Sequence, residues 1–120
     1  MKKYVDGFVI PIAWNKLDEY RKMAELACSV WKEHGALDYV ECVGDDLDHP
    51  GMVSFRQLAQ ASAGETVIFA WITFESRVHR DQVNQAVFAD PRLTCMMHAD
   101  AQPFDCKRMA YGGFGIIVTG

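Results

Sequence analysis

The run ETVIFAWITFE, Glu65 to Glu75, decides the fold of this chain. It is rich in β-branched and aromatic residues, so it reads as a strand. A strand with one wet face alternates polar and apolar side chains. Between Val67 and Phe74 the only break in the apolar run is Thr73. Both faces of this strand are therefore expected to be buried.

Working outward, Ser76 precedes RVHRDQVNQAVFA, a helix that Asp90-Pro91 ends, with Ser76 as its cap. Upstream, YVDGFVIPI at 4–12 reads as a first strand. Asn15 with Asp18 three positions later resembles a capping box, and Gly35 is a natural helix stop. Between them Leu17, Tyr20, Ala24, Ala27, Cys28 and Trp31 form one apolar stripe at helical spacing. LDYVECVGD gives a second strand, the polar DDLDHPG a loop, and SFRQLAQA at 54–61 a short helical turn. KRMAYGGFGIIV at 107–118 supplies the fourth strand.

The order is β-α-β-β-α-β, the split βαβ pattern of the ferredoxin-like fold. The fold class is α+β, with both helices on one face of a four-stranded antiparallel sheet. Two helices cover one face only. A second copy, packed sheet against sheet about a twofold axis, is the simplest cover for the other. The expected partner is the chain itself, as a homodimer.

The 120 residues suit a single domain, 1–120, and half of them are hydrophobic. A net charge of −4 with twelve scattered Lys and Arg leaves no basic stripe, which argues against nucleic acid. Asp6 and Pro11 interrupt the apolar start, so it does not read as a signal peptide, and no run approaches a membrane span of about 20 apolar residues. The four cysteines, Cys28, Cys42, Cys95 and Cys106, hold no C-x-x-C pair and read as reduced thiols. A cytoplasmic protein is the expectation.

Several blocks carry a resemblance: YVDGF near the start, ECVGDD after the first helix, ETVIFAW, DPR, and PFDCKRMAYGGF at 103–114. Across nearly the whole chain the sequence resembles the YbaA-like bacterial proteins. The resemblance implies a dimeric α+β barrel, two ferredoxin-like subunits joined through their sheets. It implies no established reaction. Wider structural relatives include cofactor-independent monooxygenases, haem-degrading enzymes and isomerase-like proteins, so fold alone chooses no function.

Candidate site residues come from polar groups in apolar strands. Asp6 and Glu41 each place a carboxylate within a strand, where it must be paired, hydrogen-bonded or shifted in pKa. Arg108, at the opening of the fourth strand, is the expected partner of Asp6. Two readings stay open: a structural ion pair, or a ligand site. By analogy with monooxygenase relatives, Trp71, Asn84 and Tyr111 line a pocket for an aromatic molecule; the alternative is packing. Gly112-Gly113 marks a close approach to the fourth strand. Asp45 to His49 lacks calcium-loop spacing and reads as a solvated loop, and the remaining histidines lack paired metal spacing. No nucleotide motif is present. No cofactor or metal is expected. Two functions compete: a homodimer binding or transforming a small apolar or aromatic molecule, and a non-catalytic accessory homodimer without a pocket.

Overall fold

The computed structural model describes residues 3–93 and 104–120. Strand β1 spans Tyr4–Ala13 and a 3-10 turn, Trp14–Lys16, leads into helix α1, Leu17–Glu33. Strand β2 is Asp38–Val43, the short helix α2 is Phe55–Leu58, and strand β3 is Glu65–Phe74. Helix α3 is Arg77–Phe88; a second 3-10 turn, Cys106–Arg108, precedes strand β4, Ala110–Gly115. The four strands form one antiparallel sheet in the order β2-β3-β1-β4, the ferredoxin-like arrangement expected from the element order.

Local chemistry explains most element ends. Ser76 accepts a hydrogen bond from the His79 backbone N–H at 3.1 Å, capping α3 as its sequence predicts. Ser54 and Gln57 complete a reciprocal capping box on α2. Gly35 follows α1 with φ of +114°, a conformation that disfavours any side chain. Asn15 does not cap α1. It sits inside the 3-10 turn, and the position before the helix is Lys16, which makes no side-chain cap. The fourth strand is shorter than expected at both ends: Lys107 and Arg108 belong to the preceding turn, and pairing stops at Gly115 rather than at Val118.

Strand parity then sorts the sheet into two faces. Asp6, Phe8, Ile10 and Ile12 of β1 share a face with Ile68, Ala70, Ile72 and Phe74 of β3. This is the helix-covered face. Ile72 and Phe74 pack with Ala27 and Val30 of α1 and Val83 and Val87 of α3. Ile10, Ile12, Ile68 and Ala70 form a second cluster with Tyr20 and Ala24. Phe8 packs against both clusters.

The other face carries Val5 and Val9, Phe69 and Trp71, Val40, and Phe114. Helix α2 reaches part of it, with the Phe55 ring 5.6 Å from Phe69, which in turn lies 5.7 Å from Trp71. Phe69 is still 44% exposed and Phe114 59% exposed. The apolar second face read from the sequence is therefore real, and within one chain it is only partly covered.

Candidate functional site

Between the sheet and helices α1 and α3 lies a cavity of about 280 Å³. Small side chains open it: Ala70 on the sheet, and Ala24 and Ala27 on α1, each border the space. Phe8, Trp31, Tyr39, Phe88, Phe104 and Tyr111 supply aromatic walls, and Asp6, Glu41 and Asn84 the polar groups. Mostly apolar concavities with a few convergent polar groups are the usual form of small-molecule sites.

Asp6 is almost wholly buried at one side. Its Oδ1 accepts from Arg80 Nη1 at 3.0 Å, and its Oδ2 accepts from Asn84 Nδ2 at 3.3 Å and Tyr111 Oη at 3.2 Å. Arg80 Nη1 also donates to Tyr111 Oη at 2.7 Å, and the guanidinium lies over the Tyr4 ring, 5.0 Å from its centroid. Asn84 Oδ1 in turn accepts from Trp31 Nε1 at 3.0 Å. Burial pushes the Asp6 acid above its ordinary value, against the lowering effect of Asn84, Arg80 and Tyr111. Burial and the Asp6 charge likewise raise the Tyr111 phenol.

Glu41 stands at the β2 side. Cross-strand register sets Glu41 opposite Ala70, and Ala70 opposite Phe8. Asp6 is opposite Ile72, which is opposite Tyr39. The two carboxylates thus rise from strands separated by β3, roughly 10 Å apart at ordinary strand spacing. They border one cavity without sharing a proton. Tyr20 donates its hydroxyl to Glu41 Oε1, and Tyr39 donates to Oε2 at 2.6 Å. Burial, then the Glu41 charge, holds both phenols far above their usual pKa, so they remain donors.

Residues 3–106 match a family described as "Protein of unknown function (DUF1428)". This chain belongs to that family. It is 43% identical over 116 residues to the Escherichia coli K12 protein named "Uncharacterized protein YbaA", the match covering 97% of each chain. A Shigella flexneri relative of the same name has the same identity and coverage. The YbaA-like resemblance read from the sequence blocks is borne out. Among solved structures, a dimeric ferredoxin-like protein from an uncultured marine organism aligns over the full length of both chains with a TM-score of 0.61 at 8% identity. That likeness supports the fold alone.

Asp6, Glu41, Asn84 and Tyr111 all border the cavity. Trp71 does not. It pairs with Gly7, one position out of step from Tyr111, which pairs with Phe8, so the two aromatics occupy opposite faces of the sheet. The tryptophan at the cavity is Trp31, already visible as the last member of the α1 stripe.

Arg108 is not the partner of Asp6. Asp6 faces Gly113 across the β1–β4 ladder, five residues beyond Arg108 and roughly 16 Å away along a strand. Arg108 instead makes a forked pair with Glu65, at 2.8 and 2.9 Å. The cation serving Asp6 is Arg80, from the first turn of α3. Its signal was the i, i+4 spacing of Arg80 and Asn84, which presents both to the same strand.

Of the two adjacent glycines, Gly113 has a packing explanation, whereas a Cβ at Gly112 would make only ordinary contact with the Phe114 ring at 3.8 Å. A Cβ at Gly113 would lie 2.3 Å from the Tyr4 hydroxyl, because the Tyr4 ring lies across that position. Of the remaining motifs, His49 is 3.1 Å from the Asp46 carbonyl within its own loop, and the thiols of Cys28, Cys42 and Cys106 are free. Cys95 and His98 lie outside the described residues. No described helix is long and apolar enough to cross a membrane.

Proposed function

We propose that this protein is a small-molecule-binding homodimer that holds an apolar or aromatic ligand between its sheet and helices α1 and α3. The observation that carries the reading is the cavity of about 280 Å³, walled by aromatic rings and bordered by two carboxylates. A purely structural domain has no need of such a space, since protein interiors close to near-crystalline density. Its size suits a ligand of roughly ten to fifteen heavy atoms, at the small end of natural pockets.

The homodimer part rests on the second sheet face. Val5, Val9, Phe69, Trp71 and Phe114 make a contiguous apolar surface, and the solved neighbour of the same fold is described as dimeric. Burying about 800 Å² per partner would be ample for stable association. The competing role, an accessory dimer without a ligand, draws support from Asp6. Its carboxylate is fully engaged by Arg80, Asn84 and Tyr111, as in a structural network.

A thermal-shift panel of aromatic and lipophilic metabolites separates the two roles. Binding in the cavity predicts compounds that raise the melting temperature of the wild type and lose that effect in Ala70→Leu, which fills the space. A panel that moves neither protein would leave the accessory role standing.

A further inference from the structure

We infer that the ligand is an organic cation, a protonated amine on an apolar or aromatic body, with Glu41 as its counter-charge. The inference rests on the ligand-binding reading above and names the chemistry of that same cavity.

The argument begins with the contrast between the two carboxylates. Asp6 has its own cation, Arg80, at 3.0 Å. Among the described residues no lysine, arginine or histidine pairs with Glu41, whose only partners are the phenols of Tyr20 and Tyr39. Each phenol occupies one acceptor position on one oxygen, so the carboxylate keeps further lone pairs on both. A partly buried carboxylate left without a cation is costly, and a bound cation relieves that cost.

The walls point the same way. The Trp31 ring lies 6.0 Å from Tyr39 and 6.2 Å from Phe88, and Tyr20 meets Phe104 edge-on at 5.5 Å. Aromatic faces attract cations through their quadrupoles, most strongly where water is displaced. A neutral ligand would use the apolar walls but leave Glu41 uncompensated. An anion would meet its repulsion. Tyr20 and Tyr39 hold the carboxylate by both oxygens and so fix the direction from which an ammonium group can approach.

Isothermal titration of the full chain with three matched probes tests this: phenethylamine, 2-phenylethanol and 3-phenylpropanoate. Phenethylamine is expected to bind the wild type at least about tenfold more tightly than the alcohol, a difference of about 1.4 kcal/mol. In Glu41→Gln the amine should fall to the affinity of the alcohol, with the alcohol itself little changed. Equal binding of amine and alcohol to the wild type would overturn the cation inference while leaving the cavity reading intact, provided Ala70→Leu abolishes both. Preference for the propanoate would overturn it too, assigning the ligand to Arg80. Binding of none of the three at millimolar concentration would count against both readings. The wild-type comparison decides the matter even if Glu41→Gln does not fold.

Discussion

Asp6 and Arg80 are 74 positions apart in sequence and 3.0 Å apart in space, and the pair ties the first strand to the second long helix. The arginine side chain is 13% exposed and the carboxylate 1%. Arg80→Met would leave the acid buried without its cation. It should lower unfolding free energy by about 3–5 kcal/mol in urea titration. Asp6→Asn combined with Arg80→Met should cost less than Arg80→Met alone, since no charge is then left unpaired. A double variant less stable than that single variant would show that the pair is not the main reason for the loss.

A second prediction concerns Gly113. Alanine there would drive a methyl group into the Tyr4 ring, so Gly113→Ala should destabilise by about 1–3 kcal/mol. In a Tyr4→Ala background the same change should be far milder. Gly7→Ala, whose Cβ would lie 3.3 Å from the Phe114 ring rather than 2.3 Å from Tyr4, requires a far smaller shift and should be tolerated better. Thermal melts of the wild type and these four variants provide the comparison.

These two sites mark how far the sequence could be read. The element order, the Ser76 cap, the Gly35 stop and the apolar strand at 65–75 follow from local patterns, and each needs only neighbours along the chain. Which face a strand residue occupies relative to another strand needs the register to one residue, and a slip of one inverts the answer. Trp71 and Tyr111 both lie mid-sheet, yet the Gly7–Trp71 and Phe8–Tyr111 pairings put them on opposite faces. The adjacency of β1 and β4 alone points to Arg108 as the cation for Asp6, because strand neighbours follow from the element order. Arg80 was hidden because a helix crossing the sheet can present any of its faces, and polar residues at its start look like surface.

Acid should reveal a second ion pair, that of Glu65 with Arg108. Arg108 and the Ser62 backbone and hydroxyl hold Glu65 down to about 2, from an ordinary value of 4.5. The stability this contributes is complete above about pH 4.5 and is lost as pH falls from 4.5 through 2. Because water reaches Arg108, the loss should be about 1–2 kcal/mol rather than the full value of the shift. Glu65→Gln should flatten this part of the stability profile. An unchanged slope between pH 4.5 and 2 would assign the acid sensitivity elsewhere.

The open sheet face yields a direct assay of assembly. Phe69→Glu or Phe114→Glu places a charge in the apolar surface and should convert a dimer to a monomer at micromolar concentration in sedimentation velocity. Either variant should keep the far-ultraviolet circular dichroism of the wild type, since both side chains lie outside the helix-covered core. A wild type that sediments as a monomer would remove the basis for assigning this face to a second copy.

Glu41 also has a consequence at the rim of the molecule. Strand β2 ends the sheet, and its outer backbone groups are a template on which a foreign strand could be laid. Such an addition would set one foreign side chain directly beside Glu41 on the helix-covered face, where its described partners are two phenols. A basic residue there would be favoured and an acidic one opposed, so the edge would select among the strands that could join it.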